Sequence, residues 1–175
     1  MKLEFSEYVE RARGGDADAF AELYSLVYKD MYYIALCNLG NSHDSADAVS
    51  EAVLDAYLSI GKLRDISAFK SWMFKILTFK IKKKQAEYVN IKQNTTEMPE
   101  ENGENIPSTE DVYYILEIYE HFNLLSETER LVFSLTIISG YSSDEISRLT
   151  GIKSSTVRTH LLRGREKLKK VLAQD

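Results

Sequence analysis

The densest group of side chains that could bind a ligand lies near the end of the chain. Residues 153–170 contain seven basic side chains and one acidic one, and hydroxyl side chains cluster at the start of this segment. Such groups donate hydrogen bonds to the phosphates and base edges of DNA. The candidate contacts are Ser154, Ser155, Thr156, Arg158, Thr159, Leu162, Arg163 and Arg165.

Two further charged segments stand out against the net charge of -5. Residues 62–84 hold eight basic side chains against one acidic one, interleaved with aromatic residues, and predict a helix that is both apolar and basic. Just before it, four carboxylates recur every three or four residues and form a negative ridge on one side of a predicted helix. The chain could therefore touch phosphate at two places and a basic protein surface at a third. The ridge consists of Asp44, Asp47, Glu51 and Asp55.

Residues suited to catalysis are scarce. His43, His121 and His160 are far apart in the sequence, and there is no glycine-rich phosphate loop or cysteine cluster that could bind zinc. The single cysteine, Cys37, lies in an apolar segment and is predicted to be a buried, inert thiol. We therefore expect no enzyme, no catalytic residue, no metal, no cofactor and no small-molecule substrate.

Helices must position these groups, because only two prolines and eight glycines interrupt an amphipathic pattern. We predict an all-α chain with a domain at 1–90, a flexible acidic linker at 91–109 and a second domain at 110–175. Asp16 should cap a helix that ends at Gly40, and the next should run to Gly61. The apolar face of that next helix is predicted from Ala46, Val49, Val53, Ala56, Tyr57 and Ile60, with the acidic ridge on the opposite face.

The second domain carries the pattern of a helix-turn-helix. Capping boxes at Ser126 and Ser142 open two helices, and Gly151 permits a tight turn into a long basic helix from about Ser154 to Leu172. An earlier helix is predicted from Val112, Ile115, Leu116, Tyr119 and Phe122. The long helix should bury the stripe Val157, Leu161, Gly164 and Leu168, which turns the candidate DNA contacts outward.

Residues 125–133 (LSETERLVF), 140–152 (GYSSDEISRLTGI), 156–158 (TVR) and 161–168 (LLRGREKL) closely resemble the promoter-binding C-terminal domain of one family, the extracytoplasmic-function (ECF) sigma factors. Residues 15–24 (GDADAFAELY), 43–54 (HDSADAVSEAVL) and 69–76 (FKSWMFKI) resemble its N-terminal domain. Response-regulator output domains share a weaker version of the C-terminal pattern, and the N-terminal half separates the two families.

The resemblance implies roles for the charged segments. Asp44, Asp47, Glu51, Leu54 and Asp55 would bind a coiled coil of the large polymerase subunit, and the long C-terminal helix would read the minus-35 element. The minus-10 element would contact Lys70, Trp72, Lys75, Phe79, Lys80, Lys82 and Lys83, although the setting of Trp72 between Phe69 and Ile76 favours a core position. Ala46 and Ser50 stand where the family usually has glutamate and glutamine, and Lys153 replaces the usual helix cap, which should move the cap to Ser154.

The implied partners are core RNA polymerase, promoter DNA and an anti-sigma factor. The alternative that the residues leave open is a helix-turn-helix regulator that binds duplex DNA tightly without polymerase.

No apolar run approaches the ~20 residues of a membrane span, and residues 1–13 lack the apolar core of a secretion signal. We therefore expect a cytoplasmic protein without membrane insertion.

Overall fold

The structure is a computed structural model that describes residues 2–94 and 119–173, and all regular structure in these two stretches is helical. This confirms the all-α prediction. Residues 119–122 are helical as well. The helices are α1 (Lys2–Arg13), α2 (Ala17–Leu39), α3 (Ser42–Ser59), α4 (Phe69–Asn94), α5 (Glu127–Ser139), α6 (Ser143–Thr150) and α7 (Ser154–Leu172), with 3-10 turns at Ile60–Lys62 and Ile66–Ala68.

The predicted start and end of α2 are confirmed, whereas α3 ends at Ser59 and its predicted end, Gly61, lies in the 3-10 turn that follows. The Asp16 side chain accepts a hydrogen bond from the Ala19 amide at 3.0 Å and caps α2, which ends at Gly40. The Asn41 side chain caps α3 through the Asp44 amide at 2.9 Å. Each cap satisfies an amide at the start of a helix that has no partner within the helix.

The predicted apolar face of α3 is wrong in part. Ala46 is exposed and Tyr57 is 39% exposed, whereas Ser45, Ala48 and Ala52 are fully buried. The reason is that α3 packs against both α2 and α4, and small side chains permit close approach on two sides. The acidic ridge therefore lies beside α4 and not on the opposite face from the core.

The first four residues of the predicted linker belong to a helix. Helix α4 continues to Asn94, so residues 91–94 are helical and not part of a flexible segment. Ile91, Lys92 and Gln93 include no glycine or proline that would end the helix. The rest of the predicted linker, and Val112, Ile115 and Leu116 of the next predicted helix, lie outside the described residues.

The C-terminal half is a helix-turn-helix with the predicted caps. Ser126 with Glu129, and Ser142 with Glu145, form the two capping boxes of α5 and α6. Gly151 ends α6 at φ 78°, a left-handed conformation that side chains with a Cβ rarely adopt. The long basic helix spans Ser154–Leu172, as predicted.

Close packing of α5 against α7 depends on Gly164. A Cβ at this position would lie 2.5 Å from Cε2 of Phe133, a ring that is itself 7% exposed. We expect Gly164→Val to lower the free energy of unfolding by about 2 kcal/mol, because overpacking a core costs about 1–3 kcal/mol. Urea denaturation measures this. Glu166→Val places the same side chain at an exposed site of α7, and its effect should stay within about 0.5 kcal/mol. Equal effects in both variants would contradict the packing explanation.

The N-terminal and C-terminal halves contact each other. The Asn38 amide donates a buried hydrogen bond to the Ser134 hydroxyl at 2.9 Å, and the rings of Phe74 and Tyr141 meet edge to face at 5.7 Å. Two buried oxygens, Oδ1 of Asn38 and the Tyr141 hydroxyl, have no hydrogen-bond partner among the described residues. Each such atom costs about 1–3 kcal/mol, which makes the contact between the halves easier to separate.

Candidate DNA and protein interfaces

One face of α7 is open to solvent. Val157 and Gly164 are buried and Leu161 and Leu168 are half-buried, which confirms the predicted core stripe. Ser154 is half-buried at the start of the helix. The remaining candidate contacts are exposed: Ser155, Thr156, Arg158, Thr159, Leu162, Arg163 and Arg165.

The start of α7 differs from the prediction. The cap position is Lys153, not Ser154, and its side chain makes no capping hydrogen bond with the described residues. Ser154 lies inside the helix, and its hydroxyl donates instead to the Asp144 carboxylate of α6. The sequence favoured Ser154 because a serine beside a lysine is the better cap by type, and the bond from α6 was not visible in local sequence.

The far end of α7 is anchored to α5. Lys167 donates to Glu129 at 2.7 Å, and Glu129 is 4% exposed. Burial opposes ionisation of Glu129, yet the bonds from Lys167 and the Ser126 amide hold its pKa below the ordinary value. Lys169 and Lys170 remain exposed, where they can meet phosphate.

The seven candidate minus-10 residues on α4 fall into different environments. Lys75, Lys82 and Phe79 are exposed, the last by 66%. Trp72 is half-buried with its ring 6.2 Å from that of Phe69, as its setting favoured. Lys70 pairs with Asp30 of α2 at 3.5 Å. The other two, Lys80 and Lys83, pair with α3.

The acidic ridge and the basic helix form one paired surface, which we call the α3–α4 ion-pair ladder. Lys80 lies 2.7 Å from Asp55 and 3.4 Å from Glu51, and these contacts, led by the bond to Asp55, raise the Lys80 pKa. Lys83 reaches Glu51 at 3.9 Å. The carboxylates and lysines of the two predicted faces therefore neutralise each other in part.

The ladder continues through two residues that the sequence analysis missed. Lys84 lies 3.7 Å from Asp44 and 3.9 Å from Asp47, and the Tyr88 hydroxyl also hydrogen-bonds to Asp44. The signal was present, because α3 and α4 follow each other in sequence and carry opposite charge at helical spacing. The family resemblance assigns those charges to separate partners, whereas the structure pairs them with each other.

An apolar strip borders the ladder. Leu54 is 57% exposed and Leu58, one turn further along α3, is 74% exposed. Leu58 was not among the candidate residues. Exposed leucines beside a row of carboxylates are typical of a protein-binding surface with a charged rim.

Metal binding at the same helix is disfavoured. Ligand atoms of His43, Asp44 and Asp47 lie within 4.8 Å of one another. However, the Lys84 ammonium already approaches both carboxylates, and a cation would have to compete with it.

A cleft of about 530 Å³ lies between α4 and the helices α5 and α7. Lys82, Gln85 and Val89 line one wall, and Thr156 and His160 of α7 line the other. The two helices that carry the candidate DNA contacts therefore face a common opening.

Cys37 is buried as predicted, with 2% exposure. Burial raises its pKa to about 12, which keeps the thiol protonated at neutral pH. Among the helices of residues 2–94 and 119–173, none combines the length and apolar character that crossing a membrane requires.

Two parts of the chain match sequence families. Residues 20–86 match the family described as Sigma-70 region 2, and residues 115–168 match Sigma-70, region 4. The first match spans α2 to α4 and the second spans the helix-turn-helix, so each family covers one of the two halves.

Curated relatives are similar over most of the length. The chain is 30% identical to the ECF RNA polymerase sigma factor SigW of Bacillus subtilis (strain 168), an alignment that covers 98% of both sequences. It is 26% identical to the ECF RNA polymerase sigma-E factor of Escherichia coli (strain K12), over 90% of this chain and 88% of that one.

Solved structures share the fold at 20% sequence identity. The sigma factor RpoE of Bartonella quintana, in complex with the anti-sigma factor NepR, matches with a TM-score of 0.76 over 89% of this chain and 98% of that chain. CnrH, in complex with the cytosolic domain of CnrY, matches with a TM-score of 0.73 over 98% and 99%.

Proposed function

The chain belongs to the ECF sigma factors of the sigma-70 family, and we propose that it binds core RNA polymerase and directs transcription initiation at a dedicated set of promoters. The observation that carries this proposal is that one chain has both an acidic, leucine-bordered face on α3 and an exposed face on α7, the recognition helix of the helix-turn-helix. A polymerase-independent regulator would not need the acidic surface on α3. The similarity of nearly the whole chain to sigma factors also disfavours the regulator.

The proposed residue roles divide between the two halves. Asp44, Asp47, Glu51, Leu54 and Asp55 bind polymerase, and Leu58 extends their surface. The exposed side chains Lys75, Phe79 and Lys82 are the members of the minus-10 set that DNA can reach without breaking an ion pair described here. The outward face of α7 binds the minus-35 element, with Arg158 and Arg163 as the base-reading side chains.

Further expectations follow from family membership. Sigma factors are initiation factors and not enzymes, and we propose that this chain has no catalytic activity of its own. The related RpoE and CnrH were solved with the anti-sigma factor NepR and with CnrY, and we propose an anti-sigma partner here too. We also propose that the protein acts in the cytoplasm, where bacterial transcription takes place.

Run-off transcription tests the function. Core polymerase of the source organism, with and without the purified chain, is given fragments of that organism's genome. We expect discrete transcripts that require both proteins. A set of starts that is identical with and without the chain would contradict the sigma function, and tight duplex binding by the chain alone would then favour the regulator.

A further inference from the structure

We propose that Asp144 is a positioning residue for promoter recognition, which holds Arg158 in the orientation that reads a base pair of the minus-35 element. Asp144 belongs to α6 and is not among the candidate DNA contacts. The inference rests on the proposed function, because it assigns the specificity of that same DNA-binding face.

The geometry joins three residues across the turn of the helix-turn-helix. Oδ1 of Asp144 accepts a hydrogen bond from the Ser154 hydroxyl and a second from Nη2 of Arg158 at 3.3 Å. Ser154 and Arg158 are one helical turn apart on α7, so a single carboxylate oxygen holds the first turn of the recognition helix. This contact matters more here because the Lys153 side chain supplies no capping bond among the described residues.

Because the Asp144–Arg158 pair is exposed, it can orient the Arg158 side chain without contributing much to the stability of the fold. The Asp144 and Arg158 side chains are 70% and 63% exposed, and an ion pair of this kind contributes little to folding. What it does restrict is the rotamer of a long side chain. An arginine recognises a guanine edge through two parallel hydrogen bonds, and it loses less freedom on binding when it is already oriented.

The negative charge of Asp144 allows a positioning role to be distinguished from a purely electrostatic effect on DNA binding. A carboxylate beside a DNA-binding helix repels phosphate, so its removal should strengthen DNA binding if electrostatics alone were at work. A positioning role predicts the opposite result at one base pair, where removal of the carboxylate should weaken binding to the preferred base. Asp144→Asn is therefore expected to lose sequence discrimination while its affinity for unrelated DNA stays equal or rises.

The experiment uses the chain bound to core polymerase and promoter duplexes randomised across the minus-35 positions. Bound sequences are selected and counted for wild type, Asp144→Asn, Arg158→Ala and the double variant. Glu166→Gln is the matched control, because it removes one negative charge from an exposed site of α7. Thermal unfolding of each variant shows whether the fold is retained.

We expect Asp144→Asn to reduce discrimination by up to about fivefold at the same base pair that Arg158→Ala affects, with no further loss in the double variant. Losses that add in the double variant, a loss at a different base pair, or a uniform gain like that of Glu166→Gln would overturn the positioning role. If the wild type selects no motif, the proposed function fails with it. If the wild type selects a motif and Asp144→Asn selects it equally well, only the positioning role fails.

Discussion

Neutralising three carboxylates of α3 is expected to weaken binding to core RNA polymerase about 100-fold. The variant carries Asp47→Asn, Glu51→Gln and Asp55→Asn. Each partly exposed charge pair at a protein interface contributes about 1 kcal/mol, and a total of about 3 kcal/mol corresponds to that factor. Fluorescence anisotropy with labelled chain and purified core measures the dissociation constant.

The matched control removes the same charge elsewhere. Asp18→Asn, Glu22→Gln and Glu120→Gln neutralise three exposed acids outside α3, and their affinity for core should change less than threefold. If both triple variants weaken binding equally, the effect comes from net charge and the assignment of α3 is wrong.

The same α3 variant should act in the opposite direction on DNA. Lys80 and Lys83 lose their carboxylate partners in the α3–α4 ion-pair ladder and become available to phosphate. We expect its polymerase-free binding to single-stranded DNA to increase severalfold, with a steeper salt dependence. A fall in both affinities would indicate that the helical hairpin itself has been disrupted, which circular dichroism would detect.

Removing the two base-reading arginines of α7 is expected to abolish selective promoter use. Arg158→Ala with Arg163→Ala eliminates two guanidinium groups, each responsible for about 1–3 kcal/mol of base discrimination. Run-off transcription from a specific promoter should fall at least about 30-fold. Binding to core should not change, because α3 is untouched.

Lys169→Ala with Lys170→Ala provides the contrasting variant. These exposed lysines lie at the end of α7 and are expected to contact phosphate only. Their loss should weaken binding to all sequences alike and reduce the salt dependence by about two ion equivalents. If the preferred sequence changed in this lysine variant and not in the arginine variant, the end of α7 would read bases and the arginines would contact phosphate, which is the reverse of the proposed roles.

Local sequence signals predicted the helix ends well. Asp16, Gly40 and Gly151 act within one or two turns of their own position, so their effects depend little on the rest of the fold. The end of α4 was placed too early because a drop in apolar content was interpreted as a break. A helix with no glycine or proline continues into polar sequence when nothing stops it.

Tertiary pairing was harder to predict. The apolar face of α3 was assigned by side-chain type, but Ser45 is buried and Ala46 exposed because two neighbouring helices select the small residues between them. The ion-pair ladder and the Asp144–Arg158 contact join side chains from different helices. Their charges and spacing are visible in sequence, whereas the relative rotation of the helices is not.

The buried thiol of Cys37 is a natural probe for opening of the packing near the contact between the two halves. Cys37 precedes Asn38, whose amide bonds to Ser134 of α5, and it lies close enough to Arg130 of α5 for that charge to act on its pKa. A thiol-specific reagent attacks the thiolate, which burial suppresses. The rate of alkylation of the native chain therefore reports how often the packing around Cys37 opens, and how polymerase or DNA changes that frequency, without any engineered probe.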